Sequence, residues 1–249
     1  MFEKIITFSC HEDYVNLKED YPTPIKTNIP EWFKKLNHSP RFRTIKGCMP
    51  FLDTLTSGYL LRIPQDISIK HNVENPETKQ KDSFVHTGEI DSGYLHSRGI
   101  NLSSDMTKDI HSTGQLAGSP FVEKNKNLPF YKILNPWHIK TPPGYSCLFL
   151  PPMNNADDRF SIIPGIVDTD TFNQEVNFPF VINGDKYSSL DTIIKKGTPC
   201  VQIIPFKRDN WKMKIKKLKT NDLVPKKSFF RLNFFNVYKN KFWKKKSWK

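Results

Sequence analysis

Between residues 137 and 206 the chain repeats one arrangement, a short apolar run followed by residues that stop it. Tyr145–Leu150 ends at Pro151-Pro152. Runs at 160–167 and 175–182 follow, and the second meets Asn183-Gly184-Asp185, whose Asn and Gly tolerate positive φ. A further run at 198–206 is opened by Lys196-Gly197. Short runs at this spacing predict antiparallel strands, so the expected fold class is mainly β, an antiparallel β-barrel or sandwich. Composition agrees: Phe occurs 19 times and Ala is almost missing, whereas helices favour Ala. With 37% hydrophobic residues in 249, the chain can bury a substantial core.

Outside this region the signals are more varied. A short strand is expected at 5–8 and an extended proline-rich linker at 21–30. Pro30 followed by Glu31, Trp32, Phe33 and Leu36 predicts a helix start with an apolar stripe, and 50–55 a further helical turn. Segments 59–63 and 67–70, joined by Pro64-Gln65-Asp66, read as a hairpin in which Ile67 and Ile69 alternate with polar neighbours. Residues 71–82 read as an exposed loop and 103–118 as a helix punctuated by Gly114 and Gly118. Trp211, Met213 and Ile215 alternate with lysines, as on an edge strand with a basic face. Three segments result: 1–120 as a small α+β layer packing on the barrel, 121–219 as the barrel core, and 220–249 as a basic, aromatic tail. Phe230, Phe234, Val237 and Tyr238 fall at helical spacing in that tail.

Charge is divided unevenly. Residues 207–249 hold 16 Lys+Arg against 2 Asp+Glu, a net of +14, and the remainder nets −1. Any polyanion partner is therefore expected at 207–249. Lys239, Lys241, Trp243, Lys244, Lys245, Lys246 and Trp248 form the candidate nucleic-acid-binding set, because rings stack on bases while lysines neutralise phosphates. An anionic membrane surface suits the same chemistry. No run reaches the roughly 18 apolar residues of a membrane helix, and the first ten residues do not form a signal peptide, so a cytoplasmic location is expected. Cys10, Cys48, Cys147 and Cys200 are widely spaced without a CxxC pair, which points to reduced thiols and to no metal site.

Pro143-Gly144-Tyr145, Gly165-Ile166-Val167-Asp168 and the strand from Gly197 through Gln202 to Ile204 resemble, in order and spacing, the signature strands of dUTPases and dCTP deaminases. That resemblance implies a dUTPase-like barrel, usually a homo-oligomer with sites at a trimer interface. It gives Asp168 the role of catalytic carboxylate, with Arg159, Asp170 and Gln202 as nucleotide contacts and Mg²⁺ as the cofactor of such an enzyme. The pattern also departs: the family's stacking Tyr is Thr171, its following Gly is Asn173, and 151–155 stands where the phosphate loop belongs. The Gly-rich arm that closes over phosphates has no counterpart, so backbone N–H groups to stabilise the transferred charge are missing. The expected function is therefore a non-enzymatic binding protein, with a nucleotide-processing enzyme as the alternative; on the first reading Asp168 begins a turn.

The whole chain also resembles an uncharacterised family of marine phages and bacteria, through residues 137–144, 165–170, 202–208 and 242–246. This resemblance implies a phage origin and a host-cytoplasmic location but no activity. Two shorter patterns occur as well. Asp168-Thr169-Asp170 matches the DxD of metal-dependent glycosyltransferases, and His11-Glu12-Asp13 with His138 matches a facial iron triad. The parallel sheet of the first is absent from the sequence pattern, and the second opens on a polar stretch rather than a core strand.

Overall fold

The computed structural model of the chain describes residues 4–10, 18–72, 82–87, 110–111, 113–126, 128, 130–155, 157–217 and 236–249. They fall into two compact units: Met1–Thr23 with Gly58–Lys207, and Pro24–Ser57 with Arg208–Lys249. The chain boundary at 207/208 coincides with the point where its charge changes.

The first unit is mainly β. Its strands are β1 (Thr7–Ser9), β2 (Thr23–Pro24, at the chain boundary), β3 (Tyr59–Arg62), β4 (Ile67–Asn72), β5 (Asp82–Thr87), β6 (Ile110–His111), β7 (Phe130–Ile133) and β8 (His138–Lys140). These are followed by β9 (Tyr145–Leu150), β10 (Phe160–Ile162), β11 (Gly165–Val167), β12 (Phe178–Ile182), β13 (Ser189–Ile194) and β14 (Pro199–Lys207). Among the described residues four sheets result, ordered β1-β8, β10-β12-β7-β6, β11-β9-β14-β3-β2 and β13-β4-β5. Neighbours such as β9·β14, β4·β13 and β7·β12 run antiparallel. Of the two expected forms, barrel or sandwich, the described residues show open antiparallel sheets around one core and no closed barrel.

That core draws side chains from every sheet, including Ile69, Ile133, Ile139, Phe149, Phe180, Ile194 and Ile203. Along β4 the pattern is plain: Ile67 and Ile69 are buried while Lys70 is exposed. Removing each such Ile from water contributes about 1.5–3 kcal/mol. Strands from 59–87 thus belong to the sheets themselves, and 1–120 is not a separate layer laid over them.

The expected 59–70 hairpin forms its strands but not its pairing. β3 lies against β14, and β4 against β13. Between them the chain passes a corner shared with a second one at 195–198. The Ile63 amide donates to the Thr198 carbonyl at 2.8 Å, and the Gly197 amide to the Ile63 carbonyl at 2.8 Å. Asp66 receives the Lys196 amide and the Lys195 ammonium, each at 2.8 Å. One two-stranded ribbon therefore bends from the five-stranded sheet into the three-stranded one, a device by which stacked sheets share strands. Pro64-Gln65-Asp66 marks that bend, and turn residues alone do not distinguish a bend from a hairpin.

The turn at 183–185 is confirmed, but neither Asn183 nor Gly184 has positive φ. Gly184 is required by packing instead: an added Cβ would lie 2.8 Å from Lys126 Cγ and 3.2 Å from the Lys124 carbonyl. Residues 113–116 form only a short 3-10 turn, followed by helix α3 (Pro120–Lys124) in this unit; the rest of the expected 103–118 helix before it lies outside the described residues, apart from β6.

Cys147 and Cys200 are buried in β9 and β14. Burial pushes the Cys147 thiol up to about 11 and the Cys200 thiol higher still. Only thiolate reacts quickly with disulfide reagents. An aromatic disulfide reagent at mildly alkaline pH should therefore modify Cys10 and Cys48 in the folded protein and reach Cys147 and Cys200 only after denaturant is added. Rapid reaction at all positions without denaturant would contradict this core.

Candidate nucleic-acid interface

The two segments of the second unit carry 21 Lys+Arg against 4 Asp+Glu, a net of +17, while the rest of the chain carries 17 against 21. Helix α1 (Glu31–Lys35) starts after Pro30 and buries Phe33, and helix α2 (Met49–Thr56) has Pro50 in its first turn and buries Met49 and Leu55. Phe33 and Phe51 stack at 5.8 Å, with Trp32 edge-on to Phe33 at 5.6 Å. Proline at a helix start and an apolar stripe thus do what the sequence expects of them here.

Between these helices, His38 is held by its neighbours. The Thr44 amide donates to His38 Nδ1 at 3.1 Å, and Thr44 Oγ1 donates to the Asn37 carbonyl at 2.8 Å. Gly47 lies directly against the His38 ring, where an added Cβ would come within 2.2 Å of ring atoms. Lys46 reaches the Lys34 carbonyl at 2.8 Å.

The C-terminal segment belongs to the same unit. Helix α4 (Val237–Lys241) follows Asn236, which adopts left-handed backbone at φ 61°. The Trp243 amide returns to the Tyr238 carbonyl at 2.9 Å, and its indole N–H donates to Asp53 at 3.1 Å. Lys246 pairs with the same carboxylate and lies over the Trp243 ring at 5.9 Å. Asp53 therefore anchors the end of the chain, and the basic tail is not a free appendage. Most of the tail helix expected from Phe230 to Tyr238 lies outside the described residues.

These pieces enclose a cleft of about 690 Å³. Phe33, Leu36, Met49 and Leu52 supply apolar surface, Trp243 supplies an indole, and Lys46, Lys239 and Lys245 supply cationic groups. Lys239 and Lys245 are exposed and make no ion pair among the described residues. The volume lies within the range of ligand pockets. A planar apolar body carrying negative charge fits this lining.

Of the residues nominated in the tail, Lys239, Trp243 and Lys245 line the cleft. Lys241 and Lys244 are exposed outside its lining, Lys246 is engaged by Asp53, and Trp248 is half-buried. Missed by sequence reasoning were Phe33, His38, Lys46 and Met49. Their signal was present: residues 24–57 net +4, masked by a net of −5 over the rest of 1–206.

The residues of the first unit nominated as nucleotide contacts are placed otherwise. Asp168 follows β11 and is exposed; its carboxylate accepts a hydrogen bond from Ser146 Oγ at 2.6 Å, and its carbonyl accepts the Thr171 and Phe172 amides at 3.0 and 2.9 Å. Asp170 accepts the Gly144 amide at 2.8 Å, where Gly144 holds φ +83°. Thr169, fully buried between them, meets Thr141 Oγ1 at 2.7 Å. The Asp168-Thr169-Asp170 triplet thereby ties its own turn to the Pro143-Gly144-Tyr145 turn. Ordinary turn chemistry accounts for these contacts.

Arg159 forms a two-point pair with Asp157, at 3.0 and 2.7 Å, and donates to Thr192 Oγ1 at 3.0 Å. Gln202 is fully buried and accepts the Met153 amide at 3.0 Å, pinning the loop at 151–155. That loop borders a pocket of about 160 Å³ lined also by Asp157, Asp158 and Lys124. Arg159 beside Asp157 holds its carboxyl below the usual range, and Lys186 with Tyr187 does the same for Asp158. Both are ionised near neutral pH and each is paired with a cation, Asp157 with Arg159 and Asp158 with Lys186, so these carboxylates hold the local loop structure. His138 lies in β8 opposite Ser9, while His11-Glu12-Asp13 lies outside the described residues.

No protein-family model matches the chain, and a search of curated proteins finds no significant match. No described helix is long and apolar enough to cross a membrane.

Proposed function

We propose that the chain is a non-enzymatic binding protein for single-stranded nucleic acid, with the cleft of its second unit as the site. One observation carries this reading: Trp243, an apolar floor and the ammonium groups of Lys239 and Lys245, which form no ion pair among the described residues, line the same cleft. Stacking on an aromatic ring tolerates any base, and lysines follow the phosphates. A duplex hides its base faces, so the indole favours single strands. The first unit is read as a dUTPase-like scaffold, supported by its motif strands lying side by side in the order β11-β9-β14. Its Asp168, Asp170, Arg159 and Gln202 hold turns and loops in place, which favours binding over hydrolysis.

Fluorescence anisotropy with a labelled oligothymidine tests this. Affinity should fall steeply with salt, because each neutralised phosphate of a single strand adds about 0.7 to the slope of log K against log salt. Trp243→Ala should weaken binding by about 1–3 kcal/mol, and Trp243→Phe should restore much of it, since Phe keeps a stacking face but loses the bond to Asp53. Equal binding by wild type and Trp243→Ala would refute the assignment.

A further inference from the structure

Trp211, Met213 and Ile215 alternate as on an edge strand, but residues 208–217 form none, and every one of them is exposed. Trp211 is 91% exposed, Met213 84% and Ile215 84%. Large apolar side chains that open to water on a folded protein mark an interaction surface. Lys212, Lys214, Lys216 and Lys217 interleave and follow them, and 210–217 contains no acidic residue.

We infer that residues 211–217 bind the surface of an anionic lipid bilayer. This goes beyond nucleic-acid binding and rests on different residues. Three chemical points select the partner. Met213 and Ile215 are aliphatic and offer no stacking face, so they gain little from bases but much from acyl chains. The lysines require a partner of negative charge, and each contributes near an anionic bilayer surface. Pairing of two copies through this segment would set lysine against lysine, which is unfavourable. A bilayer accepts the mixture as it stands: Trp at the headgroup level, Met and Ile below it, and lysine stems reaching back to phosphates.

Full-length protein is tested by co-sedimentation with vesicles of phosphatidylcholine alone and of phosphatidylcholine with phosphatidylserine. Binding is expected only to the second, and to weaken with salt. Met213→Asp with Ile215→Asp should reduce vesicle binding at least about tenfold, since charge at these positions opposes insertion. These side chains are exposed, so the melting temperature should not change, and oligothymidine affinity should fall far less than vesicle binding. Failure of the wild type to bind phosphatidylserine vesicles would overturn the inference, as would undiminished vesicle binding by the variant. A parallel loss of oligothymidine affinity would instead assign the segment to nucleic acid. Sedimentation of the wild type as a dimer that the variant dissolves would assign it to self-association. Loss of oligothymidine binding in Trp243→Ala alone leaves the lipid result standing, so the two readings fail separately.

Discussion

Gly58→Ala is expected to destabilise the first unit by about 3–5 kcal/mol, from a left-handed backbone imposed on a residue with a side chain and from overpacking. Gly58 stands at φ +83° just before β3, and an added Cβ would lie 2.0 Å from the Ile203 carbonyl oxygen and 3.2 Å from Ile204 Cγ1. Backbone, not a flexible side-chain end, blocks the methyl group. Relief would require β3 to move away from β14, and Leu60, Leu61 and Ile203 in those strands are all buried. Domains of this size are stable by only about 5–15 kcal/mol. The melting temperature should fall by about 10 °C or the protein should fail to accumulate folded. Gly144→Ala is the matched comparison, because φ is also +83° there but no atom lies within 4 Å of the added Cβ. It should cost only about 1–2 kcal/mol of backbone strain. Equal effects at the two glycines would disprove the close approach of β3 to β14.

The second large effect concerns the cleft. Reversing Lys46, Lys239 and Lys245 to Glu replaces three positive lining groups by three negative ones. Oligothymidine affinity at low salt should fall at least about 100-fold, and the slope of log K against log salt should decrease by about 2, at roughly 0.7 per lost phosphate contact. Lys241→Glu with Lys244→Glu places like charge in the same tail but outside the cleft lining, and should weaken binding far less. If both sets act equally, the tail works through diffuse charge and the cleft has no special role. Circular dichroism and melting of each variant separate binding from folding; Lys239 and Lys245 are exposed, so their replacement leaves the core intact.

Much of the fold was legible because local chemistry repeats. The Pro-Pro stop after β9, the alternation in β4 and the proline at the start of α1 each act over a few residues. The partner of each strand was not legible. β3 and β4 adjoin in sequence yet enter different sheets, because their alignment is decided by β13 and β14 more than a hundred residues later. The Trp211–Ile215 alternation shows the limit from the other side: a period of two is present, but the segment pairs with no strand among the described residues and remains exposed.

For the candidate site the division is similar. A basic, aromatic C-terminus was readable as a cationic surface from its composition. Asp53 could not be read as its anchor, because one carboxylate in a helix says nothing about an indole 190 residues away.

By itself, the sequence determined that this chain is mainly β and that its positive charge is concentrated after residue 207. Those properties follow from neighbour-to-neighbour patterning and from the cost of burying charge. Tertiary structure alone decided that the described sheets stay open, that the Asp168 carboxylate meets Ser146, and that Trp243 joins Phe33 and Met49 around one cleft. Each of these depends on which distant segments meet, and a linear pattern of polar and apolar residues does not encode that choice.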